Sequence, residues 1–426
     1  MRLRCIGFGL GGCVLRSITR LLVCTLLLLS AVATAGDWPQ ILGPNRNGHA
    51  EDERLAESWP AAGPKILWRY KLGSGYAGSA VAGDRVIVFH RISNNECVEC
   101  LSAASGKSLW KTDFPATYRG GIDPDTGPRC VPLIAGTSVF VFGAAGDLHS
   151  VQLDTGDKLW SRSLYADYKG DEGYFGAGST PILVSGQLLV NVGGRGAGIV
   201  ALDPSNGKTL WQASDEAASY SSPTAAHIGG HDKAIFITRL NCVVADPATG
   251  TVTKLFPFGQ RGPTVNAATP LVIGNKLFVT ASYGIGAALA PLTDQPVKPI
   301  WTNDNTLSSQ YATPIEHNGY LYGIHGREDQ GVAELRCIEA ATGKVQWKKT
   351  GFGVAHIIFA DNKLLIQKAD GHLLLAAADP TKYRELATAR VSSEPTRALP
   401  ALSGGRLFLR SGSGGGELIC LAVGVE

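Results

Sequence analysis

Methionine is almost missing from this chain, with one in 426 residues, and charged side chains make up only 18 %. Beyond residue 35 no stretch reads as strongly helical. Familiar catalytic signatures are missing as well: there is no Gly-x-Ser-x-Gly elbow and no His-Glu-x-x-His pair. The Gly-rich run at 193–198 has no helix after it, so it reads as a hairpin turn rather than a phosphate cradle. No catalytic residue and no metal ligand is therefore assigned. What is abundant is glycine, with 53 residues. That balance favours many short strands joined by tight turns.

The front of the chain reads as an export leader. Arg2, Arg4, Arg16 and Arg20 precede and flank an apolar run at 21–32, and Ala33-Thr34-Ala35 supplies small residues for cleavage after Ala35. The run is short of the roughly 20 residues that span a bilayer, although a retained anchor is the alternative. Gly36-Asp37 at the junction leaves no lipidation cysteine. The expectation is a signal peptide over 1–35, an N-terminal extension over 36–63, and a periplasmic or secreted, monomeric protein with no transmembrane segment after cleavage. Losing the leader's four arginines takes the formal charge from +3 to −1. Nothing then points to a polyanion-binding surface, so no nucleic-acid partner is expected.

Of nine cysteines, Cys5, Cys13 and Cys24 leave with the leader. Cys97, Cys100, Cys130, Cys242, Cys337 and Cys420 remain, and they are expected as free buried thiols. Cys100 and Cys337 each lie six residues before a turn glycine, where Ser150, Ala201 and Val244 stand in other repeats, which reads as one small buried position. Cys97 and Cys100 on one strand would point to opposite faces, which argues against a zinc or redox site.

One phrase organises the rest. Ser105-Gly106-Lys107-Ser108-Leu109-Trp110 returns as Thr155-Gly156-Asp157-Lys158-Leu159-Trp160, Asn206-Gly207-Lys208-Thr209-Leu210-Trp211 and Thr342-Gly343-Lys344-Val345-Gln346-Trp347. Degenerate copies end at Phe256 and Trp301, and a faded one lies at 383–391. The aromatic ends are 50, 51, 45, 45 and 46 residues apart, a period that means a propeller or solenoid. Upstream, phrases such as Thr180-Pro181, Thr269-Pro270 and Thr313-Pro314 open each unit, giving starts at 79, 132, 181, 223, 270, 314, 357 and 400. The fold class expected is all-β: an eight-bladed β-propeller over 64–426 with four antiparallel strands per blade. The last unit ends after its third strand, at 417–423, and a spare Trp-bearing strand stands at 64–70. This N-terminal strand should complete the last blade and close the ring. Trp68, Trp110, Trp160, Trp211, Trp301 and Trp347 are read as blade-packing residues.

The run Ala201-Leu202-Asp203-Pro204-Ser205-Asn206-Gly207-Lys208-Thr209-Leu210-Trp211 resembles the PQQ-like (pyrrolo-quinoline quinone) repeat. The front segment, Asp37-Trp38-Pro39-Gln40 with Gly43-Pro44-Asn45-Arg46 and Gly48, is similar to the opening of exported PQQ-repeat proteins of planctomycete-type bacteria. The resemblance is specific for fold and weak for function. It implies two different jobs. Quinoprotein alcohol dehydrogenases hold PQQ and calcium on this propeller, but this chain has no vicinal cysteine pair. The BamB-type subunit of the outer-membrane assembly machine is an eight-bladed propeller of similar size that carries no cofactor.

The reading favoured is a non-enzymatic binding or scaffold propeller, BamB-like, engaging protein or peptide partners at the cell envelope, with no cofactor. PQQ-dependent oxidoreduction with calcium is the alternative, and a carbohydrate-binding or hydrolytic propeller a third. Binding is expected at the mouth of the ring, three residues before each blade start, where Tyr76, Arg129, Gly178, Tyr220, Ala267, Tyr311, Val354 and Arg397 fall. Of these, Tyr76, Arg129, Tyr220, Tyr311 and Arg397, with nearby His356, offer aromatic faces and anion-pairing forks. Two long loops, 112–128 and 163–178, are further candidates. The first contains Asp123-x-Asp125-x-Gly127, a faint echo of a calcium loop without its late glutamate.

Overall fold

The computed structural model describes residues 36–412 and 414–425; the expected leader and its cleavage junction at Ala35 lie outside them. Eight four-stranded antiparallel sheets follow one another along the chain. Blades 1 to 7 occupy residues 80–115, 133–163, 182–213, 224–257, 271–303, 315–349 and 355–390. Blade 8 takes Ala401–Ser403, Arg406–Ser411 and Gly416–Ala422, and its fourth strand is the N-terminal Lys65–Leu72. Lys65 pairs with Ala422 and Leu72 with Gly416, with a bulge between Ile66 and Trp68. The fold is thus an all-β eight-bladed propeller whose two ends meet in one sheet.

Each blade is built from local turn chemistry. In blade 3, Ser185 and Gly186 both take positive φ (48° and 75°) between Val184 and Gln187, the two-residue hairpin that suits right-twisted strands. The second and third strands are apolar on both faces because each face meets a neighbour. Leu188 and Val190 pack with Phe140 and Phe142 of blade 2, while Leu189 and Ile199 pack with Phe236 of blade 4. First strands line the central channel, and those of blades 8, 1 and 2, of blades 3, 4 and 5, and of blades 6 and 7 touch in turn.

The recurring Trp and Gly are one device. Trp160 Nε1 donates to the Pro204 carbonyl in the turn of the next blade at 2.9 Å. That turn's Gly207 lies on the indole: a Cβ there would stand 2.6 Å from Trp160 Cε3. Equivalent bonds run from Trp68 to Ala103, Trp110 to Leu153, Trp211 to Pro247, Trp301 to Ala340 and Trp347 to Asp379. Blade 4 ends on Phe256, which has no donor, and blade 7 carries no tryptophan in its fourth strand, Glu385–Arg390.

All six cysteines among the described residues are free and buried, and burial pushes their thiols up. Cys100, Ser150, Ala201, Cys337 and Cys420 stand directly across from Trp110, Trp160, Trp211, Trp347 and Trp68. In blade 4 the expected Val244 does not hold the position opposite the aromatic. The bulge lies at Leu255, so Cys242 faces Phe256. The loop at 163–178 also holds a short helix, Leu164–Tyr168.

Gly207→Ala combines a left-handed φ of 70° with a collision against the indole, whereas Gly186→Ala meets nothing within 4 Å. Urea unfolding should show a loss of about 3 kcal/mol for the first and about 1 kcal/mol for the second. Equal losses would mean the indole contact contributes nothing.

Candidate functional site

Loops between blades, and turns between second and third strands, converge on one end of the ring. The structure gathers five of the six named mouth residues there: Tyr76, Tyr311 and Arg397 with their carboxylate partners, Arg129 beside them and His356 beneath. Tyr76 Oη donates to Asp123 Oδ2 at 3.2 Å, with the Arg397 guanidinium near enough to act on the phenol electrostatically. Arg397 forks onto Glu328 Oε1 with Nε at 3.2 Å and Nη2 at 3.1 Å. Tyr311 Oη donates to Glu328 Oε2 at 3.1 Å. The pair Asp123–Tyr76 and the series Arg397–Glu328–Tyr311 therefore lie side by side, bringing the loop after blade 1 near the turn of blade 6. Burial pushes the Tyr76 and Tyr311 phenols up, with the neighbouring Asp123 and Glu328 adding to it.

Arg129 lies beside this series. Its guanidinium sits 5.6 Å from the Tyr76 ring and 5.5 Å from the Tyr118 ring, and donates to the Gly127 and Asp125 carbonyls. His356 is buried beneath. Its Nε2–H donates to the Arg397 carbonyl at 2.8 Å, and burial lowers its pKa to about 4, so it holds the Arg397 loop as a neutral ring. Tyr220 lies apart, accepting from the backbone N–H groups of Tyr174 and Phe175 at 2.7 and 3.1 Å. It orders the 163–178 loop.

Asp125 works as a staple. Its carboxylate accepts from Gly75 and Gly414 N–H at 3.0 Å and from Gly127 N–H at 2.8 Å. Burial alone would raise its pKa, but the bonds from Gly414, Gly127 and Gly75 outweigh that and hold it below its ordinary value. The Asp123-x-Asp125-x-Gly127 spacing thus ties the loops of blades 1 and 8 together. Among the described residues no three His, Cys, Asp or Glu side chains converge as a metal group would need.

Sequence reasoning missed Glu328, which joins Arg397 to Tyr311. It lies in the charged insertion Arg327-Glu328-Asp329, longer than the matching turns of other blades. That turn also walls a cavity of about 600 Å³ beside the mouth, lined by Tyr283, Ser308, His325, Arg327, Glu334 and Arg336. Also missed was the extension at 36–57, which fills the opposite end of the channel. Trp38 exchanges backbone bonds with Val81, and Glu53 accepts from Gly404 and Gly405 N–H at 2.6 and 2.8 Å. Its Trp, Gly, Pro and Arg were visible, but no periodicity marks a segment that docks only once.

Glu96, 3 % exposed, accepts from Ala144 N–H at 2.9 Å near the 112–128 loop. Burial lifts its pKa to about 7, against the opposing pull of that bond. The folded state therefore holds its proton more tightly than the unfolded chain does. The resulting stabilisation is complete at low pH and is lost as pH rises through about 7. Thermal unfolding of the wild type minus Glu96→Gln should show this slope between pH about 4.5 and 7, at about 1.4 kcal/mol per pH unit at most. A flat difference would refute the assignment.

Comparison with known proteins gives consistent relatives. The sequence profile of the family described as outer membrane protein assembly factor BamB matches residues 94–349. BamB of Burkholderia pseudomallei is 24% identical over 366 residues, 74% of this chain and 89% of that protein. Quinoprotein alcohol dehydrogenase PedH of Pseudomonas putida is 33% identical over 123 residues, covering 27% of this chain and 19% of the dehydrogenase. Among solved structures, the quinohemoprotein alcohol dehydrogenase of Comamonas testosteroni aligns with a TM-score of 0.66 at 14% identity, over 93% of this chain and 82% of that one. That last likeness shows the fold alone.

Proposed function

This chain belongs to the family described as outer membrane protein assembly factor BamB, and from that premise we propose that it is a non-enzymatic binding or scaffold propeller of the cell envelope. Its partners are proteins or peptides engaged at the mouth. The observation that carries the reading is the state of the mouth side chains. Arg397, Glu328 and Tyr311 are tied to one another beside the Tyr76–Asp123 pair, with Arg397 40 % and Glu328 33 % exposed at the surface. Such a rim offers aromatic edges and a guanidinium to a partner's carboxylates and carbonyls. It leaves no carboxylate set free to polarise a substrate. No helix among the described residues is long and apolar enough to cross a membrane. The expected leader adds the location: exported, periplasmic or secreted.

A quinone-dependent oxidoreductase is the second reading, favoured by the local identity to PedH. The donor set does not fit PQQ with calcium. Asp125 is used up by three backbone N–H groups and Glu328 by Arg397 and Tyr311. The far end of the channel is filled by residues 36–57.

Arg129→Ala/Arg397→Ala protein and its parent, each immobilised and passed over envelope extract, provide the test. The variant should lose the specific partners that the parent retains, while both melt within a few degrees of each other. Equal recovery of every partner would remove the mouth from the account. In parallel, purified protein given PQQ and calcium should not reduce an acceptor dye; quinone-dependent reduction would replace the scaffold reading with the enzymatic one.

A further inference from the structure

The extension that fills the channel is held in the manner of a bound peptide. The inner edges of the first strands carry backbone N–H and C=O groups that no strand of another blade can reach across the channel, and such edges are open to any extended segment. The two ends of residues 37–50 use them, while the residues between turn back on themselves, Gly48 N–H donating to the Leu42 carbonyl at 2.8 Å. Trp38 N–H donates to the Val81 carbonyl at 2.9 Å, and the Trp38 carbonyl accepts Val81 N–H at 2.8 Å. The Pro39 carbonyl accepts Ile134 N–H at 2.8 Å, and Gly48 and Ala50 bond Phe359 on both sides at 2.9 Å. Gly48 fits because a Cβ there would stand 2.3 Å from Ile315 Cδ1. Main-chain bonds give such a mode its affinity and side-chain pockets its specificity.

Two side chains are swallowed whole. Trp38 is 2 % exposed and packs in the core shared by blades 1, 7 and 8. Arg46 is 2 % exposed and has no carboxylate partner among the described residues. Its guanidinium instead donates to the carbonyls of Thr180 at 3.3 Å, Pro223 at 2.8 Å and Pro181, and its Nε to Gln40 Oε1 at 2.8 Å. Three carbonyls from blades 3 and 4 thus converge on one planar cation. A fork of N–H donors satisfies that arrangement, whereas an ammonium group, compact and strongly hydrated, does not. The segment is joined to the ring only through the stretch containing exposed Pro60, Ala61 and Ala62, and the ring is closed without it by Lys65–Leu72.

We propose that the floor of the central channel is a peptide-binding site, filled here by the chain's own residues 37–50, which recognises a tightly turned segment by a buried tryptophan, a buried arginine and main-chain bonds at its two ends. A second chain carrying that aromatic-to-arginine spacing is the ligand class it would accept in exchange.

A specific protease site placed between Ala61 and Ala62 tests this on the folded full-length protein. After cleavage the fragment should co-elute with the ring. A fluorescent peptide of residues 36–57 should replace it slowly, and the emptied ring should keep its β-sheet circular dichroism. In the cleaved protein Arg46→Ala and Arg46→Lys should each weaken retention about tenfold or more, while Asn45→Ala, at an exposed position, should leave it unchanged. Immediate loss of the wild-type fragment, equal retention of the Arg46 variants, or a ring that unfolds as the fragment leaves would each overturn the proposal.

Discussion

A blade has two apolar faces and cannot bury either alone, so every other feature depends on the circle being completed. Completion here is a backbone matter: Lys65–Leu72 pairs along Gly416–Ala422, and residues far apart in the chain become neighbours in one sheet. Loop-closure entropy of so long a circuit grows only logarithmically with length, so it is the strand pairing and the packing beneath it that must hold the ends. Trp68, carried by this same strand, then bonds the Ala103 carbonyl of blade 1. One strand thus belongs to the last blade by its edge and reaches the first by its indole.

The ring was legible because repetition multiplies weak signals. Seven of the eight expected starts stand one residue before the first strand of a blade, as 181 before Ile182–Val184 and 270 before Leu271–Ile273. The exception is blade 7, which opens at Ala355 rather than after 357, because its first strand runs to Ala360 and is longer than most of the others. Blade 4 shows the limit of counting. Its aromatic lies two residues further from the turn glycine, and the bulge moves with it, so Cys242 takes the place that spacing gives to Val244.

The mouth was legible by position and not by partnership. Counting back from each blade start found Tyr76, Tyr311 and Arg397, but not that Glu328, from a turn elsewhere in the chain, would bridge two of them. His356 was read as a mouth residue, and its ring is spent on a carbonyl beneath the surface. The docking of residues 36–57 was illegible for a related reason: it uses carbonyls of Thr180, Pro181 and Pro223, and main-chain acceptors leave no trace in residue identity.

The indole bonds are not evenly distributed, and that has a mechanical meaning. They join blade 8 to 1, 1 to 2, 2 to 3, 3 to 4, 5 to 6 and 6 to 7. The circle is therefore two riveted arcs, one of five blades and one of three, meeting at two plain joints. At the joint between blades 7 and 8 other parts act as splints: Leu55 N–H reaches Asp361, and Glu53 caps Gly404 and Gly405. The joint between blades 4 and 5 is crossed by apolar packing, the bond from Val297 N–H to the Leu255 carbonyl, a bond from Gln260 Nε2 to the Gly284 carbonyl at 3.0 Å and the Lys233–Asp294 ion pair at 3.9 Å, with no indole bond among the described residues. Strain applied to the circle concentrates there, at the place where the shorter arc can swing.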